Sequence, residues 1–215
     1  MPNTTAPVAH SAIVTPGPRT VVAGWELSTL RSGASLRLAD ASQLAKVHVR
    51  ADLDGAFAAT LGCGFRRSHR REDGTLVVGS GPGEWLLIGE MGTERALTTQ
   101  LRTEAGAEFV TAVDLTHGRA LMRLTGYDAA RALSKLCAVD LCDAATPDGA
   151  AFRSSVAKIA TDIVRDDAGS GALGEPSYLL HCERSSGQYL FDCLMDAGAE
   201  FGIEPDGSLA GGNQS

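Results

Sequence analysis

The chain has 215 residues, 44% of them hydrophobic and 21% charged, enough for one large domain or two small ones sharing a core. A net charge of −7, with no compensating basic surface along the chain, argues against a nucleic-acid partner. No apolar run approaches the roughly 18 residues of a membrane span, and MPNTTAPVAHSAIVTPGPRT lacks the basic and apolar segments of a signal peptide.

In chain order, residues 1–22 are rich in Pro, Thr and Ala and are expected to form an extended, flexible tail. Short strand-like pieces follow at Val21–Trp25 and Leu36–Leu38. Leu44–Arg50 alternates as a strand does, and Leu53, Phe57 and Leu61 share one face of a short helix. Strands at Thr75–Val78 and Glu84–Ile88, a helix from Thr93 to about Ala105 and a strand at Phe109–Leu115 complete a β-α-β-β-α-β order. Strand Arg119–Thr125 and helix Tyr127–Cys137 then open a second series. In the helix Ala129, Ala130, Leu133, Leu136 and Cys137 make one apolar stripe, and Thr125 with Asp128 reads as a capping-box start. A strand at about Val156–Val164, a Gly-rich turn, a strand at Tyr178–Glu183 and a helix over Gln188–Phe201 follow.

The expected fold is therefore α+β, two fused ferredoxin-like halves, residues 23–115 and 116–204, with a flexible tail at 205–215. They meet at the corner Thr116–Gly118 and pack as one body. Strand Arg119–Thr125 sets Ala120, Met122 and Leu124 on one side and Arg119, Leu121 and Arg123 on the other, so one side is expected to be apolar and the other charged.

Few motifs suggest chemistry. Gly79-Ser80-Gly81-Pro82-Gly83 precedes a strand rather than a helix, and Pro82 removes an amide donor, so it reads as a hairpin turn and not a phosphate loop. Cys63, Cys137, Cys142, Cys182 and Cys193 are odd in number and sit in apolar stretches, as core thiols in a reducing cytoplasm would; their spacing does not suit zinc. The basic run Arg66–Arg71 reads as a solvated loop, with contact to an acidic partner subunit as a second reading given Phe65 beside it. Asp114, His117, Arg119 and Arg123 form a close polar cluster, in which Asp114 caps the corner or joins His117 as an acid/base pair. No nucleophile with a sequence-evident base, and no zinc-protease motif, is found.

VDLTHGRALMRLTG, ARALSKLCAVDL, the upstream GPGEWLLIG and the downstream YLLHCERSSGQYLFDCLMDAGAEFG together resemble the gamma subunit of heterotetrameric sarcosine oxidase over roughly Trp25–Ile203. More distantly, Asp114-Leu115-Thr116-His117 is similar to the strand–corner–strand element of the glycine-cleavage T protein and related folate-binding proteins. The resemblance implies a folate-binding-type fold and a small structural subunit without catalytic residues, in a complex with alpha, beta and delta subunits. Such complexes oxidatively demethylate sarcosine to glycine and pass the one-carbon unit to tetrahydrofolate. It implies that FAD, FMN, NAD and tetrahydrofolate belong to partner subunits, with no cofactor or metal in this chain, no membrane and a cytoplasmic location. Exposed apolar residues around Trp85 and the N-terminal segment would be partner surface. The catalytic aspartate motif of the aminomethyl-transferring relatives is not found. A stand-alone folate-binding or aminomethyltransferase-like protein is the alternative, and an unrelated ferredoxin-like binding module a third reading.

Overall fold

Alternation of apolar and polar residues every second position gives each strand two distinct faces, and the strands assemble into two large sheets and one small one. The computed structural model describes residues 7–168 and 174–208. The chain runs β1 (Ala9–His10), β2 (Arg19–Val22), β3 (Trp25–Ser28), β4 (Arg37–Asp40), β5 (Ala45–Arg50), α1 (Ala56–Leu61), β6 (Ser68–Arg70), β7 (Leu76–Gly81), β8 (Glu84–Gly89), α2 (Glu94–Ala105) and β9 (Thr111–Asp114). It continues through β10 (Arg119–Thr125), α3 (Ala129–Ser134), β11 (Ala151–Val156), β12 (Ile159–Arg165), β13 (Ser177–Glu183), α4 (Gly187–Gly198) and β14 (Glu204–Asp206). The first large sheet has the order β6-β7-β8-β5-β9 and the second β11-β12-β13-β10-β4-β14.

Within these sheets β7-β8-β5-β9 and β12-β13-β10-β4 carry the same antiparallel order, the ferredoxin-like pattern. The sequence offers only β-α-β-β-α for the second series. Its fourth strand is β4, from well upstream, pairing Leu38 with Leu124 and Ala39 with Arg123. After the small sheet of β1, β2 and β3 the chain thus enters the second large sheet at β4, crosses at Ala41–Leu44 to build the first, and returns at the elbow.

Three apolar clusters define the layers. Val47, Val49, Val77, Trp85 and Leu87 meet α1 and α2 through Phe57, Leu61, Leu97 and Leu101. Leu38, Ala120, Met122, Leu124, Ile163 and Leu180 meet α3 and α4 through Leu133, Leu190 and Leu194. Leu76, Val78, Leu86, Ile88, Leu121, Val164 and Leu179 lie between the two sheets. Helices cover the outsides and the sheets face each other, so β10 is buried on both sides rather than apolar on one and solvated on the other.

Several expectations need correction. Residues 9–22 carry β1 and β2 against β3, and Ile13 joins the core, so this stretch is packed rather than a loose tail; residues 1–6 lie outside the described residues. Of the expected C-terminal tail, β14 pairs with β4 and Ser208 is buried, while 209–215 lie outside the described residues. The segment 151–165 is a hairpin, not one strand from Val156: Ala157 and Lys158 form its turn, both in the left-handed region at φ +47° and +69°. The Gly-rich join after it falls partly on residues 169–173, outside the described residues. Helix α3 is shorter than the stripe suggests, and Thr125 remains in β10 with its hydroxyl on Ser177 instead of closing a capping box.

Candidate functional site

The hairpin reading of Gly79–Gly83 holds. Pro82 and Gly83 make the β7–β8 turn, Gly83 at φ +68°, and a register shift falls between Gly79 and Gly81. Gly79 has a further role: a Cβ there would lie 2.1 Å from Gly64 O, so only glycine lets the strand after α1 cross β7 so closely. That crossing bonds Arg66 N to Gly79 O (3.0 Å) and Gly79 N to Arg67 O (2.9 Å), and brings Arg66 O to Ala151 N (3.0 Å) of the other sheet.

The polar side chains on the inner sheet faces converge at the edge of the inter-sheet layer. Register sets Asp162 of β12 opposite His181 of β13, and Arg119 of β10 opposite Glu183. Arg119 Nε donates to His181 Nε2 (3.3 Å), Arg119 Nη2 to Asp162 Oδ2 (3.4 Å), and Arg119 also pairs with Glu183. Arg153 grips Asp162 with two bonds of 2.7 and 2.9 Å, and Asp162 Oδ2 lies 3.3 Å from His181 Nδ1. Because Arg119 is an obligate donor, Nε2 of His181 is the acceptor and Nδ1 carries the proton. Burial drives the pKa of His181 down, against the pull of Asp162. Burial also works to raise Asp162, but the bonds from His181 and Arg153 overcome it and hold the carboxyl well below the usual range. His48 of β5 faces the same space beside Glu84 (3.7 Å) and is lowered by burial. The cavity they border is about 70 Å³, lined also by Leu86, Leu121 and Leu179. A site for a drug-sized ligand occupies roughly 300–1,000 Å³, so this space is small beside one.

Two further buried charged groups tie the halves together. Arg123 donates to Asp166 Oδ2 (2.6 Å), Asp166 O (3.0 Å) and Ser177 Oγ (2.7 Å), and Arg70 from β6 of the first sheet closes on the same carboxylate at 3.1 and 2.5 Å. Lys46 is wholly buried at the crossover and donates to Ser42 O (2.7 Å) and Leu44 O (2.8 Å); burial draws its pKa down to about 7. Its backbone holds the elbow, taking Leu115 N–H at 2.8 Å and giving its own N–H to Thr116 Oγ1 at 3.0 Å.

The sequence-picked cluster disperses. Asp114 accepts the Thr116 N–H (2.8 Å), the corner-capping role, while His117 stacks on Trp25 with ring centroids 4.7 Å apart. Only Arg119 reaches the inner-face site; Arg123 belongs to the Asp166 pair. The basic run is no solvated loop throughout, since Arg70 binds Asp166 and Arg71 binds Glu104. Trp85 is buried with Nε1 on Cys63 O (2.8 Å), so it offers no partner surface, whereas Val14, Val21 and Val22 are exposed. All five cysteines are free thiols; Cys63, Cys137 and Cys182 are core residues, Cys193 is half-buried and Cys142 is exposed. Among the described residues no group of His, Cys, Asp and Glu is arranged to hold a metal, and no helix is long and apolar enough to cross a membrane. Asp162, His181 and His48 escaped the sequence reading. Their one signal is a polar residue interrupting an apolar strand, as in Leu179-Leu180-His181-Cys182.

Two ferredoxin-like units stacked sheet against sheet, with helices outside, define the glycine-cleavage T and folate-binding class of fold. Residues 59–212 match the GCVT N-terminal domain, and the chain belongs to that family. It is similar to sarcosine oxidase subunit gamma of Corynebacterium sp. (strain P-1), 31% identical over 133 residues, 62% of this chain and 61% of that protein. The match thus spans less than two thirds of that relative's length. Among solved structures, a chain of heterotetrameric sarcosine oxidase from Corynebacterium sp. U-96, in complex with pyrrole 2-carboxylate, superposes at TM-score 0.67 and 25% identity, covering 80% of this chain and 89% of that one. The glycine cleavage system aminomethyltransferase T from Bartonella henselae shares the fold at TM-score 0.65 and 18% identity, covering 89% of this chain and 56% of that one.

Proposed function

We propose that this chain is the gamma subunit of a heterotetrameric sarcosine oxidase, a structural part without catalytic residues of its own. The assembly would demethylate sarcosine oxidatively to glycine and deliver the one-carbon unit to tetrahydrofolate. Alpha, beta and delta subunits would be the partners, and FAD, FMN, NAD and tetrahydrofolate would be held by them. The observation that carries this reading is the extent of the likeness to a chain of such a heterotetramer, 80% of this chain and 89% of that one. A structural role is supported by the bonding of the convergent polar groups to one another beside a space of about 70 Å³. Free thiols favour a reducing compartment, so a cytoplasmic location belongs to the same reading.

Co-expression with the alpha, beta and delta subunits tests it. This chain is expected to co-elute with flavin absorbance, and its omission to lower the yield of assembled, sarcosine-oxidising complex. A stable monomer that never co-elutes with flavin would overturn the reading. Saturable micromolar binding of tetrahydrofolate by the isolated chain would favour the stand-alone folate protein instead.

A further inference from the structure

The basic run divides into two pairs. Arg70 and Arg71 turn inward to Asp166 and Glu104. Arg66 and Arg67 are exposed, and among the described residues neither guanidinium has a hydrogen bond or ion pair. Phe65 beside them is 54% exposed. The three line a groove of about 540 Å³ together with Ala144, Ala145 and Phe152.

This ledge is rigid. The Arg66 backbone is bonded to Gly79 of one sheet and Ala151 of the other, and is held at φ +67°, a conformation costing a non-glycine residue about 1 kcal/mol. Asp140 lines the same groove, and among the described residues no nearby carboxylate is bonded to either guanidinium. Asp140 accepts the Cys142 N–H (3.0 Å), Asp143 pairs with Arg165 (2.5 Å), and Asp148 accepts from Gly149 and Asp167. On a chain of net charge −7, two guanidinium groups bonded to no carboxylate, beside an exposed aromatic ring and a groove of mixed polar and apolar lining, stand out.

We propose that the Phe65–Arg67 ledge seats an acidic segment of another subunit of the assembly, its carboxylates on Arg66 and Arg67 and an apolar side chain against Phe65 and Ala144–Ala145. The inference rests on the subunit reading above and names the surface it requires. Arginine pairs bidentately with carboxylates, and Arg beside an exposed aromatic has the composition of an interface hot spot. A two-fold contact centred on the ledge would set the same cations against each other, and two free cations are too few to hold a nucleic-acid backbone. Preorganisation of the ledge by both sheets lowers the ordering cost of binding.

The test is co-expression of the full chain with the alpha, beta and delta subunits, comparing wild type with Arg66→Glu/Arg67→Glu, with Phe65→Ser, and with Arg95→Glu on α2 as a control. Both ledge variants should associate at least about thirtyfold more weakly while keeping the circular dichroism and melting midpoint of the free wild-type chain, and the control should assemble normally. Wild-type assembly should also weaken as salt rises, a readout that needs no substitution. Ledge variants that assemble as well as the wild type, or salt-independent assembly, would overturn the proposal and leave the subunit reading standing. A wild-type chain that forms no complex removes both. Self-association or nucleic-acid binding abolished by the same reversals would equally overturn it.

Discussion

His181 lies between a carboxylate and a guanidinium, and that position has a measurable consequence. Its neutral form is the one that fits, because a proton on Nε2 would point at Arg119. Burial holds its pKa below the ordinary 6.5, so below that pH the unfolded chain takes up a proton that the folded chain refuses. The stability from this group is complete above about pH 6.5 and is lost as pH falls. We expect unfolding free energy, measured by urea titration, to drop between pH 7 and pH 5.5. His181→Gln should be less stable at pH 7 and show a flatter slope across that window. The lowered Asp162 gives a separate loss at more acid pH, below about 4. An unchanged slope in the variant would show that His181 is not the titrating group. From the sequence only Arg119 of this site could be picked. Strand alternation tells which residues share a face, whereas the meeting of Asp162 with His181 depends on the register between β12 and β13.

At the scale of elements, periodicity served well where turn chemistry was explicit and less well elsewhere. Pro82-Gly83 announces its hairpin because proline fixes one φ and glycine accepts a positive one. Ala157-Lys158 announces nothing, since the tight hairpin turn usually takes Asn-Gly, so from sequence the hairpin reads as a single strand. The β11–β12 pairing holds both residues in the left-handed region against their own preference. Lys158 is exposed, so Lys158→Gly should relieve that strain and stabilise the chain by about 0.5–1 kcal/mol. The β-branched Lys158→Val should lose about 1 kcal/mol or more. Thermal unfolding of the two variants checks the opposite signs; a loss with glycine would mean the turn is not strained. Helix α3 makes the converse point. Its apolar stripe continues to Cys137, but only Ala129–Ser134 form regular helix, because the stripe records which side chains are buried and not the backbone that carries them.

For the whole molecule the decisive strand is β4. It fills, in the second sheet, the place that β9 fills in the first, and lends Leu38 to the core beneath α3 and α4. A chain starting at residue 41 retains every other strand of the ferredoxin-like pattern but would leave the β10 edge bare. We expect residues 41–208 to aggregate or unfold without cooperativity, whereas 7–208 should melt as a unit. A cooperative transition of 41–208 at the full chain's midpoint, followed by circular dichroism, would show β4 to be dispensable.

The sequence by itself determined what depends on neighbours along the chain: the limits of β5, β8, α2, β10 and β13 to within a residue or two, the turn at Gly83, and the Asp114 cap of the elbow. It also carried enough of the family's pattern to indicate the fold. Only the tertiary structure decided what each strand's second face meets. Lys46, His48, Arg119, Arg123 and Asp162 lie on faces that alternation marks as polar, and which therefore read as solvent-facing. Stacking one sheet on the other buries much of them, turning a surface pattern into paired charges. Alternation fixes the two sides of a strand, but what covers a side is set by contacts between residues far apart in sequence.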